Sequence, residues 1–413
     1  MMVLCRYWFY MSNLQLTSSF YRFLAGRALF SLVESVLLVA VGWHLYQQTG
    51  DPFDLALVGL FQITPVLALF LVTGWVVDHV SRKKILVYGA AMQSCILLAI
   101  AFVMNAASFD KWQLLLLLSA AGAVKAFMSP TIQAALVNIV ESKRLNKAIA
   151  ISSTVWNLAT TLGPFIAGIL VAWIAYDTYW LLVVGSLLTL ISFISLPAIP
   201  ASNKVARSWA VMLGGFTFLR RNPIVFGCLL LDLLMVLLGS VVALLPIYAA
   251  DILKVGAEGL GLLRAMPAVG AVVIGVYLAR YKSDFAHTGY TLFIALVVFA
   301  MSILMFSFAT TLWLAAVSLF IYGASDMFSV VIRGAVVQHH TPDELRGRVS
   351  AVNSIFIASS NQLGDFRAGS VAAAGGAVNA AIWGGISALL VAVWGAYYFK
   401  DLRKLKSSQT ANH

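Results

Sequence analysis

Long apolar runs alternate with short polar breaks along this chain, and nearly every run has the same order of length. They fall at about 22–46, 54–78, 85–107, 112–138, 148–173 and 178–197, then at about 224–249, 257–280, 288–308, 311–337, 349–373 and 377–399. A helix needs about 20 mostly apolar residues to cross roughly 30 Å of hydrocarbon. Inside lipid every backbone N–H and C=O must be bonded within the protein, so helices are the default span. The ~10-residue alternating segments of a lipid-facing β-barrel do not occur. The pattern predicts an all-α membrane protein of twelve transmembrane helices in two sets of six.

The sets divide the chain into an N-terminal half at 1–199, a linker at 200–222, a C-terminal half at 223–400 and a tail at 401–413. The linker, within PASNKVARSWAVMLGGFTFLRRN, is less apolar and richer in cations. Its Trp209, Met212, Leu213, Phe216 and Leu219 recur near helical spacing, which predicts an amphipathic helix lying in the membrane interface. The opening segment lacks the apolar core and cleavage site of a secretory signal. The segment before Met11 differs in character from the polar stretch after it, so Met11 rather than Met1 is a candidate start.

Composition agrees with the pattern. Of 413 residues 61% are hydrophobic and 10% charged, and the mean hydropathy of +0.92 exceeds what one soluble core could hide. The net charge of +11 does not gather on a soluble domain, so it points away from nucleic acid. Instead the cations mark one side of the membrane. Arg82, Lys83, Lys84, Lys143, Arg144, Lys147, Lys204, Arg207, Arg220, Arg221, Arg280, Lys282, Arg346, Arg348 and the tail cations fall on one set of loops. The other loops hold Lys111 and Lys254 against Asp51, Asp54, Asp110, Asp177, Asp251 and Glu258. Both termini and the linker are therefore expected in the cytoplasm. Cys5, Cys95 and Cys228 have no metal-like spacing, and no phosphate-binding GxxxxGK[ST] loop is present, so no cofactor, metal or ATP-driven step is expected.

The halves also repeat. Adding 201 to a position takes Gly26 to Gly227, Gly74 to Gly275, Ser153 to Ser354, Gly163 to Gly364, Ala167-Gly168 to Ala368-Gly369 and Lys147 to Arg348. Two six-helix repeats in the same orientation imply an axis normal to the membrane, with substrate held between them near mid-depth.

On these features the chain resembles the major facilitator superfamily over essentially its whole length. The stretch GWVVDHVSRKK resembles the superfamily's loop between spans two and three: Gly74, Asp78, Arg82 and Lys83 match, while His79 and Ser81 depart. An acid at a helix C-terminus is disfavoured by the macrodipole, so Asp78 must gain from a neighbouring helix N-terminus or an arginine. The resemblance implies a latch that closes the cytoplasmic side, with the cations facing anionic headgroups. TTLGPFIAG at 160–168 resembles the antiporter motif of exporters: Gly163 and Gly168 would permit close helix approach and Pro164 would bend the span. TPDELRGRVSAVNSIFIASSNQLGDFRAG at 341–369 resembles the branch that holds bacterial enterobactin exporters and predicted efflux permeases.

Ionisable residues at membrane depth are costly and therefore functional candidates. Glu34, Lys125, Asp232 and Asp326 fall on spans one, four, seven and ten, which the resemblance implies line the central cavity. Lys125 and Asp326 occupy equivalent places in the two repeats. A desolvated carboxylate short of partners gains by taking up a proton. Glu34 and Asp232 are the leading proton carriers; Asp326, a third candidate, is expected to be neutralised by Lys125, unless that pair is structural. Arg333 is expected to pair with Asp78 or a carbonyl, and Asp365 and Arg367 with each other or with Arg264. The expected function is a proton-coupled exporter of a small organic molecule, siderophore-like or drug-like, across the bacterial inner membrane. Its expected partners are that substrate, the proton gradient and the lipid bilayer, and it is expected to act as a monomer. A nutrient importer or facilitator of the same fold is the alternative; a non-transporting receptor or an embedded enzyme is remote.

Overall fold

The computed structural model describes residues 17–106, 108–141, 144–201, 217–281 and 287–406. Residues 202–216, where most of the amphipathic linker helix was expected, lie outside that set, as does the Met1-to-Met11 segment. The described chain is helical, with no strand among the described residues. Its helices are α1 (Ser18–Thr49), α2 (Pro52–Ala68), α3 (Phe70–His79), α4 (Arg82–Met104), α5 (Lys111–Ile139), α6 (Leu145–Ile174) and α7 (Thr178–Ile194). In the second half follow α8 (Pro223–Gly239), α9 (Gly256–Tyr281), α10 (Thr288–Ser307), α11 (Leu312–His339), α12 (Asp343–Gly375), α13 (Ala377–Tyr398) and the single turn α14 (Lys400–Arg403).

Polar residues at the edges of the apolar runs start these helices. Asp51 accepts from Phe53 N at 2.9 Å and Asp110 from Trp112 N at 2.9 Å. Asn222 accepts from Val225 N at 3.2 Å and Thr311 from Leu314 N at 3.3 Å. Each satisfies one of the backbone donors left open at a helix start. Gly50, at φ +63°, ends α1 in a left-handed turn whose N–H bonds Tyr46 O at 2.8 Å.

By length and apolarity, nine helical stretches among the described residues can cross a bilayer. The count becomes ten if α2 and the end of α3, bent by 57°, act as one broken span. One of the nine, Lys147–Ile194, is 48 residues long and holds both α6 and α7 across a single 3-10 turn, Ala175–Asp177. Helix α12 is not among the nine: Asn361, Gln362, Asp365 and Arg367 interrupt its apolar run. These helices make the chain an integral, multi-pass membrane protein. The seventh apolar run, read as continuous to 249, breaks after Gly239 into a 3-10 turn (Val242–Leu244), a short helix (Leu245–Ile247) and a π turn (Tyr248–Ile252). Pro246, which has no N–H to give, sits in that break.

Within residues 17–201, α1 packs on α6 and α7, α4 on α5 and α7, and α5 on α2. Within 217–406, α8 packs on α12 and α13, α10 on α11 and α13, and α11 on α9. The two groups meet where α2 lies on α12 and α6 on α9. The glycines that recur at 201 residues sit in these contacts. A Cβ on Gly26 would come within 2.6 Å of the Phe193 ring, and one on Gly227 within 2.8 Å of Phe399. Gly163 backs onto Ser35 of α1, and Gly364 onto Val236 O of α8 and Ser240 just beyond its end. Gly168 lies against Gly261 of α9, and Gly369 against Ala56 of α2. Gly74 and Gly275 differ: the first faces open space and the second meets Met327 at 3.2 Å.

Candidate functional site

The loops define two ends of the bundle, an acidic end at Asp51, Asp110, Asp177 and Asp251 and a basic end at Arg82, Lys83, Lys84 and Arg144. Between them the interior charges form separate clusters. On α1, Glu34 is buried; it accepts from Gln93 Nε2 of α4 at 2.6 Å and its other oxygen lies 3.6 Å from Lys125 Nζ of α5. Gln93 was not singled out from sequence, although a solitary amide inside the run ILVYGAAMQSCILLAIAFVM is the signal that marks it.

In the second half the buried Arg333 of α11 forms an ion pair with the buried Asp232 of α8. Its other terminal nitrogen is 3.9 Å from Asp326, whose side chain is 42% exposed, and its Nε donates to Ser329 O at 3.3 Å. The pairing thus departs from the expected one. Lys125 engages Glu34, not Asp326, because α5 and α11 belong to different halves and each charge reaches an acid or base of its own half. Arg333 turns to α8, while Asp78 is half-buried with no hydrogen bond or ion pair seen among the described residues.

The remaining loop residues are anchored. Buried Arg82 donates to Ala134 O of α5 at 3.1 Å, Lys83 donates to Leu196 O, and Ser81 Oγ donates to Ile199 O at 2.9 Å. Arg82 and Lys83 therefore meet carbonyls near the C-terminal ends of α5 and α7, where cations are favoured. They do more than face headgroups.

A third cluster lies where the halves meet, toward the acidic end. Tyr46 donates to Asp251, and Gln362 Nε2 donates to Gln62 Oε1 at 3.4 Å. Beside them is a cavity of about 30 Å³ lined by Leu38, Gly42, Gly59, Arg264, Gln362 and Asp365, among others. Asp365 accepts from Ser240 Oγ at 2.6 Å and from the Ala243 N–H. Arg367 donates to Leu237 O and Ser240 O, each at 3.1 Å. Asp365 and Arg367 therefore do not pair with one another. Both are spent on the stretch where α8 unwinds around Gly239, Asp365 chiefly on the Ser240 hydroxyl and Arg367 on two carbonyls, as a non-helical segment at membrane depth requires. In the antiporter-like stretch, Gly163 and Gly168 lie at helix contacts as described, and Pro164 lies inside α6. Among the described residues no group of three or more His, Cys, Asp or Glu is placed to hold a metal.

Comparison with known proteins bears on this arrangement. The family model of the Major Facilitator Superfamily matches residues 23–364. Enterobactin exporter EntS from Escherichia coli O139:H28 (strain E24377A / ETEC) is 28% identical over 258 residues, 62% of this chain and 58% of that protein. The same figures hold for the Escherichia fergusonii exporter; the match thus spans little more than half the length of these relatives. Among solved structures, a bacterial homologue of the human lysosomal transporter Spinster, inward-facing and unoccupied, aligns at a TM-score of 0.72 with 15% identity over 95% of this chain and 98% of its own. A POT family transporter in complex with 5-aminolevulinic acid aligns at 0.73 with 12% identity, over 93% and 96%. At such identities these likenesses speak to the fold alone. The family match covers most of the chain, and the protein belongs to the Major Facilitator Superfamily.

Proposed function

We propose that the chain is a proton-coupled secondary transporter that exports a small organic molecule, siderophore-like or amphipathic and drug-like, across the bacterial inner membrane. In this reading it has twelve spans in two six-helix repeats, with the basic end and both termini in the cytoplasm. The main packing contacts within the first half have counterparts 201 residues later: α1–α6 with α8–α12, α4–α7 with α10–α13, α2–α5 with α9–α11. The two contacts between halves, α2–α12 and α9–α6, exchange with each other under the same shift. That supports parallel repeats and a rocking cycle. The direction of transport rests on the likeness of 160–168 to the antiporter motif and on the exporter relatives.

The observation that carries the coupling is a charge imbalance. Glu34 and Lys125 balance one to one, whereas Asp232 and Asp326 share the single Arg333. The pair with Asp232 is direct and buried, so Asp326 is the acid in excess and the one open to exchange. Asp326, placed behind Glu34 and Asp232 on sequence grounds, is accordingly the proton carrier, with Asp232 and Glu34 holding the two arms of the site. Proton binding drives the cycle only if it favours one state over the other.

The test is export from cells carrying the chain, its Asp326→Asn variant or neither, with a panel of siderophores and dyes followed inside and outside. Asp326→Asn should insert normally yet lose gradient-driven export, keeping only exchange down the substrate's own gradient. Full gradient-driven export by the variant would remove Asp326 from the coupling.

A further inference from the structure

The interior cations are not equally committed. Lys125 has Glu34, Arg333 has Asp232, and Arg367 has two carbonyls, while Arg27 donates to Ser152 Oγ at 2.6 Å. Arg264 of α9 makes no hydrogen bond and no direct ion pair among the described residues, and its buried Nε is without a partner. Its five donors form a planar fork suited to an oxyanion, and leaving such donors unmet in a dry seam is costly.

Arg264 lines the cavity between the halves, and its guanidinium lies within 3.9 Å of where a Cβ on Gly42 of α1 would sit. Gly59 borders the same space. The rest of the lining is largely apolar, with Leu38, Leu55 and Val58 beside Gln362. Asp365 shares it, but its carboxylate already accepts from Ser240 and Ala243. Arg264 feels the charge of Asp365, and Asp251, held by Tyr46, lies in the same cluster; what sets Arg264 apart is a buried guanidinium with no hydrogen bond. The Asp232, Arg333 and Asp326 cluster has one acid in excess.

We infer that Arg264 is the specificity-determining residue for an oxyanion (carboxylate, catecholate or sulfonate) on an amphipathic aromatic or aliphatic substrate, engaged as the acidic-end seam between α1, α2, α9 and α12 parts. This rests on the transport reading above and names the substrate class it takes. The cavity of about 30 Å³ holds a water or two at most, so the oxyanion enters this place only when the seam widens. The excess acid at mid-span and the guanidinium without a hydrogen bond toward the acidic end then divide the labour: the former carries the proton, the latter draws the anionic group outward.

The test uses the purified full chain and probes matched in size. These are 2,3-dihydroxybenzoate and naphthalene-1-sulfonate as anions, methyl 2,3-dihydroxybenzoate as the neutral partner, and tetraphenylphosphonium as the cation. Saturable binding, read by tryptophan fluorescence, is expected for at least one anion in preference to the ester and the cation. Arg264→Gln should weaken that binding at least tenfold, and Arg264→Lys should restore part of it. Both variants are compared with the parent by gel filtration so that misfolding is visible. Equal binding of anion and ester by the parent, preference for the cation, no binding of either anion, or undiminished anion binding by a well-folded Arg264→Gln would each overturn the assignment, leaving Arg264 a structural partner of Asp365. Failure of the transport reading would look different: no compound would leave cells in a manner dependent on the chain, whatever residue stood at 264.

Discussion

Replacing Asp232 by Asn should destabilise the protein far more than replacing Asp326 by Asn, although both acids face the same arginine. Asp232 and Arg333 are both buried and in direct contact. Removing one partner of such a pair costs about 3–5 kcal/mol where the other charge is left alone; here Asp326 still faces Arg333, which places the loss at the lower end, about 3 kcal/mol. For Asp326, 3.9 Å from Arg333, unit charges at an effective dielectric of about 20 would attract by about 4 kcal/mol. The contact is the longer of the two and carries no hydrogen bond, however, and without Asp326 the arginine still has Asp232 in direct contact, so the net loss is smaller. The ordering also predicts a rescue. Asp232→Leu combined with Arg333→Met removes both buried charges together and should recover most of the loss, because replacing a whole buried pair with apolar groups is close to neutral. The measurement is unfolding of each variant in mixed micelles by denaturant titration, arranged as a double-mutant cycle. Equal losses for Asp232→Asn and Asp326→Asn would refute the division of roles. So would additive losses in the cycle, which would mean that Asp232 and Arg333 do not act as a pair.

Two further outcomes follow from the helix contacts. Gln93→Leu leaves Glu34 without its 2.6 Å donor and should cost about 1–3 kcal/mol, read by the same titration; a neutral result would mean that Lys125 alone satisfies the acid. Gly168→Val places side-chain atoms against the Gly261 backbone and should hold the acidic end apart. Maleimide labelling of a cysteine placed at Gly59, beside the seam, should then proceed faster than in the otherwise unmodified Gly59→Cys protein, and an unchanged rate would count against closure at this contact.

Much of this architecture is legible in the amino-acid pattern, and the part that is not has a physical reason. Run length sets where helices lie, and Asp51, Asp110, Asn222 and Thr311 at the run edges are the residues that cap them. The repeated glycines could be read as contacts because a missing side chain at a fixed interval has few other uses. The pairing of charges could not. Periodicity places Lys125 and Asp326 at equivalent depth, but which acid a cation reaches depends on how each helix is rotated about its axis, and that is decided by packing along its whole length. Gln93 escaped notice although its amide stands out in an apolar run, and Tyr46 because it sits among other polar residues at the run's end, His44, Gln47 and Gln48. The end of the seventh run was hidden because Gly239–Ser240 does not lower hydropathy enough to interrupt a run, yet it suffices to end a helix there.

The contrast between what repeats and what does not is informative about the mechanism. At an offset of 201, glycine meets glycine at 26 and 227, 163 and 364, 168 and 369, whereas Glu34 falls on Met235, Asp232 on Ser31, Arg264 on Ile63 and Arg333 on Ile132. Among the interior charges only Lys125 and Asp326 coincide at this offset, and there the sign is reversed. Charges kept merely to glue a half together would be expected to recur with the glycines, since both halves face the same packing problem. Charges that serve a single path, as in the transport cycle proposed above, have no reason to be duplicated. An excess acid at mid-depth and, toward the acidic end, a buried arginine without a hydrogen bond are an asymmetry that the proposed directional carrier would use, on a frame whose main helix contacts recur at an offset of 201.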